Sequence, residues 1–297
     1  MKCTLCPRSC SVDRAVAQGF CLARQHPEIA SVCIHRGEEP PISGTKGICN
    51  VFFSHCNLQC IYCQNWQISG LHDTGGTACQ PDELVDRIAS LLPSAENILG
   101  FVTPTHYANS IPAIVEALHQ RDLHPVTVYN TSGYESVATL RILEPYIDVY
   151  LPDFKYADAA LAGRYSHAPD YPERAFESLR EMYRQKGSSL ITDQDGLAVS
   201  GIIVRHLVLP GCVDNSLKVL DTVADLSINL HVSLMAQYYP PFPGLPDQLG
   251  RTLSADEYDT VVAHLHATGL HNGWLQPIEA NWSYRPDFND AQKPFEK

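Results

Sequence analysis

The stretch Phe52-Phe53-Ser54-His55-Cys56-Asn57-Leu58-Gln59-Cys60-Ile61-Tyr62-Cys63-Gln64-Asn65-Trp66 decides how the rest of the chain is read. It continues the apolar, β-branched run Ile48 to Phe53 and spaces three thiols as C-x3-C-x2-C. Three thiolates can hold three irons of a cubane cluster, whereas a closed structural site needs a fourth protein ligand. Cys56, Cys60 and Cys63 are therefore read as ligands of a 4Fe-4S cluster. One iron is left open, where a small molecule can chelate and receive an electron, so the spacing points to chemistry rather than electron storage.

Working outward, short β-branched runs alternate with amphipathic stretches six times. The expected strands are Ile48 to Phe53, Asn97 to Thr103, Val126 to Tyr129, Ile147 to Leu151, Ile202 to Leu209 and His231 to Met235. Pro81-Asp82-Glu83 opens a helix with Leu84, Val85, Ile88, Leu91 and Leu92 on one face, and Ile111, Ile114, Val115 and Leu118 repeat at helical spacing. Helices are also expected around Val137 and Leu140, around Phe176, Leu179 and Tyr183, and after Asp214 and Asn215 as caps, with Leu217, Leu220 and Val223 inward. Ser254-Ala255-Asp256-Glu257 is a capping-box pattern before Tyr258, Val261, Val262 and Leu265, and Gly269 marks the stop. Ser189 to Val204 reads as a hairpin with a type I′ turn at Asp195-Gly196. Six β-α units imply a parallel, barrel-like α/β sheet with the loops that follow the strands gathered at one mouth.

The first 47 residues lack a clean period and are rich in Cys, Pro and Gly. Cys3, Cys6, Cys10 and Cys21 offer four thiols, enough for a tetrahedral zinc or a second, fully ligated cluster, against the plainer reading as buried thiols. Ten of eleven cysteines lie in the first 79 residues, in closely spaced sets that favour metal ligation in a reducing compartment over disulfides. The expected organisation is a Cys-rich metal-binding extension over 1–47, a barrel over 48–270 and a tail over 271–297 that covers the barrel with Trp274, Trp282 and Tyr284. Acidic residues outnumber basic ones by 33 to 21, for a formal charge of −12, and no Lys/Arg-rich run could follow a phosphate backbone. Nucleic acid is excluded as a partner on that ground. With no apolar run approaching about 18 residues and no charged-then-apolar leader, the expectation is a cytoplasmic protein without a membrane partner.

Beyond its cysteines the chain resembles the radical S-adenosylmethionine superfamily, in the PflX-like branch related to pyruvate formate-lyase activating enzymes. The resemblance rests on Cys3-Thr4-Leu5-Cys6-Pro7-Arg8-Ser9-Cys10, Gly37-Glu38-Glu39-Pro40-Pro41-Ile42-Ser43-Gly44, Cys63-Gln64-Asn65-Trp66, Thr103-Pro104-Thr105-His106, Tyr129-Asn130-Thr131-Ser132-Gly133-Tyr134 and Leu151-Pro152-Asp153-Phe154-Lys155-Tyr156, nearly the whole chain. It implies a partial (β/α)6 TIM-like barrel, with cluster and S-adenosylmethionine at the mouth and the Tyr62 backbone meeting the adenine. It implies reductive cleavage of that cofactor to a 5′-deoxyadenosyl radical, which takes hydrogen from a protein, peptide or small-molecule substrate, a glycyl-radical enzyme among them. An electron donor such as flavodoxin or ferredoxin would be the redox partner.

Where many relatives carry a Gly-Gly-Glu type segment, this chain has Thr103 to His106. The oxygens of Thr103 and Thr105 can replace the missing acceptors for the methionine ammonium. His106 is a candidate catalytic proton donor or substrate contact, or a loop histidine. Asp153 and Lys155 resemble an Asp-x-Lys pair that contacts the cofactor. Arg205 resembles a basic residue of the same enzymes or forms an internal ion pair with Asp153, and Asn130 and Thr131 would line the same mouth. Glu38 and Glu39, in a Pro-rich loop, are expected to face solvent. The alternative function is a non-catalytic iron–sulfur electron-transfer or metal-binding protein.

Overall fold

The computed structural model describes residues 2–70, 76–282 and 285–295. Its strands are β1 (Glu28–His35), β2 (Ile48–Phe53), β3 (Thr77–Ala78), β4 (Ile98–Val102), β5 (Val126–Thr131), β6 (Val149–Pro152), β7 (Ile191–Thr192), β8 (Ala198–Leu207), β9 (His231–Met235) and β10 (Gly273–Leu275). The helices are α1 (Pro40–Ser43), α2 (Pro81–Leu91), α3 (Ile111–His119), α4 (Val137–Leu143), α5 (Ala159–Ser166), α6 (Tyr171–Lys186), α7 (Val213–Leu226) and α8 (Ala255–Ala267). The sheet runs β10-β9-β8-β6-β5-β4-β2-β1-β3, with β7 on β8. From β2 to β10 along that path every pairing is parallel. The connecting segments therefore return the chain to one end, and the loops leaving the strands share one mouth.

Period-two alternation divides the sheet's side chains between two faces. Phe53, Phe101, Tyr129, Tyr150 and Ile202 join the main core with the apolar faces of α2, α3, α6, α7 and α8. Ile48, Ile98, Val128, Val149, Leu151 and Ile203 form a second cluster, into which α1 inserts Ile42. Pro40 and Pro41 give α1 its pre-set first turn, and its three later residues are buried. The Pro-rich loop thus plugs the concave face and carries Glu38 and Glu39 inward with it.

All six expected parallel strands are present, and β10 adds a further one. The stretch 1–47 is not separate from the sheet, because β1 pairs antiparallel with β2. The hairpin of β7 and β8 forms around Asp193 to Gly196, but the turn is not type I′: Gly196 alone has a positive φ, of 80°, and its N–H bonds the Asp193 carbonyl at 3.2 Å. That is the three-residue arrangement in which a type I turn ends in a left-handed glycine. Ser254 and Glu257 make the expected capping box. Asn215 does not cap α7. Its side chain accepts from the N–H groups of Ala157 and Asp158 and donates to the Lys155 carbonyl, which fixes the loop after β6.

In the tail, Trp274 lies in β10 against His231, Trp282 is exposed, and Tyr284 is outside the described residues. Trp274 packs on the second apolar cluster, and over β2 the covering is done by Phe288 and Phe295, whose rings lie 5.2 and 5.6 Å from that of Phe52. Among the described residues no helix is long and apolar enough to cross a membrane.

Candidate functional site

The mouth of the sheet opens on a cleft whose lining includes Cys56, Cys60, Cys63, Tyr62, Thr103, Asn130, Asp153, Lys155 and Arg205. Residues from β1, β2, β4, β5, β8 and β9, from the loop after β6 and from the tail thus meet over the cysteine loop. That loop leaves β2 with His55 and Gln59 in the left-handed region, at φ of 73° and 52°. Such strain persists only where the surroundings over-determine it. Here the His55 N–H bonds the Ile68 carbonyl at 2.6 Å, the Asn57 amide donates to the Tyr134 carbonyl at 2.9 Å, and the Ile61 N–H reaches the Tyr165 carbonyl at 2.9 Å.

Burial pushes the Cys56 thiol up to about 12 and the Cys63 thiol to about 11, each raised further by a neighbouring thiol. The metal-free loop therefore holds protons that ligation would displace. Among the described residues no three His, Cys, Asp or Glu side chains gather as they would on a single ion. A cubane does not ask for that, since each thiolate takes its own iron. Cys60 Sγ, the Ser166 hydroxyl, the Tyr156 hydroxyl and the Tyr62 hydroxyl form a continuous hydrogen-bonded chain at 2.9, 2.7 and 2.7 Å. Ser132 Oγ, Glu39 Oε2 and His35 Nδ1 are buried along the same cleft and lack a partner among the described residues. Three thiols on one side and orphaned polar atoms on the other fit a metal cluster with a polar, multiply charged ligand.

Opposite the loop stands a network of fixed charges. Arg205 donates to Asp153 at 2.9 Å, Glu38 at 3.1 Å and Asn130 at 2.8 Å, while Lys155 Nζ lies 2.5 Å from the second Asp153 oxygen. The ion pair between Arg205 and Asp153 is therefore present, at the cleft rather than away from it. Burial works against the Asp153 carboxylate, yet the charges of Arg205 and Lys155 outweigh it and hold its pKa below the usual range. Glu38 and Glu39 do not face solvent as expected: Glu38 accepts from Asn50 and Asn130, and Glu39 is 8% exposed. Burial raises the Glu39 pKa, opposed by Arg205.

Two expected site residues lie elsewhere. His106 is fully buried under the cysteine loop, its Nε2 2.7 Å from the Ser54 carbonyl, and burial lowers its pKa to about 3. A neutral histidine outside the cleft lining is a prop for the loop, not a substrate contact. Thr105 is also fully buried, and its hydroxyl donates to Glu135 at 2.5 Å. The short turn that follows β4 directs both inward and leaves Thr103, at φ 53°, in the cleft. Glu135 itself escaped the sequence reading. It is buried, takes hydroxyl hydrogen bonds from Thr105, Thr131 and Tyr129, and burial raises its pKa to about 7. The signal was a carboxylate beside hydroxyl residues at neighbouring strand ends. Cys3, Cys6, Cys10 and Cys21 surround a second, smaller cavity behind the loop.

This architecture, a mostly parallel sheet rolled into a partial barrel, is shared with several solved structures. The maturase HydG of FeFe-hydrogenase superposes with a TM-score of 0.52 at 12% identity, over 80% of this chain and 53% of that one. Methylornithine synthase, PylB, gives 0.50 at 14% identity over 77% and 70% of the two chains. Streptococcus suis SuiB bound to S-adenosylmethionine gives 0.50 at 14%, over 80% and 48%. The chain thus spans about half the length of SuiB and HydG. An uncharacterized protein of Methanocaldococcus jannaschii is 28% identical over 267 residues, which are 86% of this chain and 72% of that one. No protein-family model matches the chain.

Proposed function

We propose that the chain is a radical S-adenosylmethionine enzyme. The observation that carries the proposal is the placement of a three-thiol loop at the mouth of a partial barrel, facing the Asp153, Lys155 and Arg205 network across one cleft. The residues divide the work. Cys56, Cys60 and Cys63 would hold a 4Fe-4S cluster, and the Tyr62 backbone would meet an adenine. Thr103, Asn130 and the charged trio would orient the amino-acid and ribose ends of the cofactor. When bound, the reduced cluster and S-adenosylmethionine supply a one-electron cleavage that releases methionine and a hydrogen-abstracting 5′-deoxyadenosyl radical.

Cys56 and Cys60 are buried while Cys63 stands half-buried at the cleft, and the charges across the cleft are already paired, so they need little reorganisation when a charged ligand arrives. A protein, peptide or small-molecule substrate would enter from the open side, and flavodoxin or ferredoxin would supply the electron. Activation of a glycyl-radical enzyme is one form this activity would take. The rival, a closed electron-transfer protein, has no use for polar side chains at successive strand ends. After anaerobic reconstitution and reduction, the wild type should form 5′-deoxyadenosine from S-adenosylmethionine. Each of Cys56→Ala, Cys60→Ala and Cys63→Ala should abolish it. Wild-type yield from any one of these variants would break the three-ligand assignment, and a reduced-cluster paramagnetic resonance spectrum unmoved by cofactor would favour the rival.

A further inference from the structure

The second cavity is enclosed by Cys3, Cys6, Cys10 and Cys21 together with two arginines, Arg8 and Arg14. Glycine at position 19 makes room for one of the thiols, since a Cβ there would come within 2.7 Å of Cys10 Sγ. Arg8 donates to the backbone carbonyls of Asn57 and Ser166, both at 3.0 Å, and of His167. Its guanidinium also stacks 3.9 Å from the Phe20 ring. Arg14 donates to the His106 carbonyl and lies 3.8 Å from Cys21 Sγ, while its buried Nε has no partner among the described residues. Among the described residues neither arginine forms an ion pair with a carboxylate. Two half-buried guanidiniums among uncharged thiols would leave a doubly positive pocket with no counter-charge among the described residues. Four thiolates on a zinc dication, or on an oxidised four-iron core, make a dianion that this pair of arginines would neutralise.

We propose that this cavity is a tetrathiolate metal site, for zinc or a fully ligated iron–sulfur cluster, and that the loaded site braces the cysteine loop of the main cleft. The thiols do not converge on one point, so a single ion would draw them inward, whereas a cubane would take one thiolate at each iron. Both centres share the dianionic tetrathiolate chemistry. The brace runs through Arg8 to Asn57, beside Cys56. It also runs through the Gln59 amide, which donates to the Phe20 carbonyl at 2.8 Å and so ties the neighbours of Cys60 and Cys21.

The test uses the full chain carrying Cys56→Ala, Cys60→Ala and Cys63→Ala together, which isolates this site. One sample is purified with zinc in the medium and another is reconstituted anaerobically with iron and sulfide. The expected content is about one zinc, or about four irons with as many sulfides, per chain. Adding Cys6→Ala and Cys21→Ala should lower it at least about tenfold, since the loss of even an outer-shell partner typically weakens a metal site by that much. Arg14→Met, which keeps every thiol, should release the metal to a chelator several-fold faster. A chain that stays metal-free under both loadings, or an Arg14→Met rate equal to that of the parent, would overturn the site or its charge balance respectively. With the loop cysteines restored, Cys6→Ala/Cys21→Ala should lose loop iron several-fold faster than wild type; equal rates would remove the brace. Iron bound by wild type but no metal in the triple variant would sink this site while leaving the loop assignment standing. Metal in the triple variant with none gained at the loop would do the reverse.

Discussion

Asp153 divides its two oxygens between Lys155 and Arg205, so its charge fixes both cations at the cleft. Asp153→Asn keeps the shape and removes the charge. It should weaken S-adenosylmethionine binding to the reconstituted protein by roughly 1.5–3 kcal/mol, about ten- to a hundred-fold, as for a lost charge-assisted hydrogen bond. Calorimetric titration of wild type, Asp153→Asn and Lys155→Met checks this, and equal dissociation constants in all three would reduce the pair to an internal ion bridge. Glu135 makes a different residue-scale prediction. Its pKa is raised from 4.5 to about 7 by burial, so between those values the folded state keeps a proton that the unfolded chain gives up. Stability from this group is greatest at the acid end of that window and falls as pH rises through it, by on the order of 3 kcal/mol in all. Glu135→Gln mimics the protonated carboxyl, so the urea midpoint of wild type should fall relative to that of the variant from pH 5 to 8, and parallel profiles would refute it. Asp153, Lys155, Arg205 and Asn130 were legible because each sits at the end of a recognisable strand. Thr105 and His106 were misplaced because periodicity shows which strand they follow but not which way a short turn points them.

Strands and helices were read well where burial imposes a period. β2 shows six buried residues in a row, as a central parallel strand should, and α3 buries Ile111, Ile114, Val115 and Leu118 as their spacing requires. β1, β10 and α5 were not read. β1 is an antiparallel addition between β2 and the two-residue β3, a pairing known only once the chain has folded, and β10 is three residues long. Glu38 and Glu39 were misjudged for the same reason: nothing local says that α1 enters the concave face. Close approach between β2 and β4 is the counterpart of that insertion. A Cβ on Gly100 would meet Asn50 Oδ1 at 1.9 Å, and Asn50 is the group that donates to Glu38 at 3.0 Å. Gly100→Ala should therefore push Asn50 off Glu38 and destabilise the fold by about 1–3 kcal/mol, the usual cost of overpacking. Chemical denaturation measures it. An unchanged midpoint would mean that β2 and β4 separate freely, and that the carboxylate network is not anchored from this side.

At the scale of the whole molecule the barrel is closed by its two ends. The N-terminal stretch packs behind the cysteine loop through Arg8, Arg14 and Thr139, whose hydroxyl donates to the Leu5 carbonyl at 2.7 Å. The tail lies over β1 and β2, where Ser31 donates to the Ala291 carbonyl at 2.6 Å and Phe288 joins a small core with Cys33, Phe52, Ile68 and Val102. Phe295 reaches from this cluster into the cleft wall, its ring 3.9 Å from that of His35. Sequence assigns the covering role to Trp274, Trp282 and Tyr284; Trp274 does pack on the second apolar cluster, whereas Trp282 is exposed and the rings over β1 and β2 come from the irregular segment beyond it. Phe288 is 8% exposed, so Phe288→Ala removes a nearly complete aromatic contact and should cost about 3 kcal/mol, the low end for a buried Phe, because a surface-side cavity can partly collapse or fill with water. The loss should also loosen Phe295 and open the cleft. In metal-free protein the half-buried Cys63, which lines that cleft, should then be alkylated by iodoacetamide several-fold faster than in wild type, while Cys49, fully buried within β2, should not change. Mass spectrometry of the two cysteines separates the outcomes. Equal acceleration at both would mean that the chain unfolds globally, and no acceleration at Cys63 would mean that the tail covers the sheet without guarding the site.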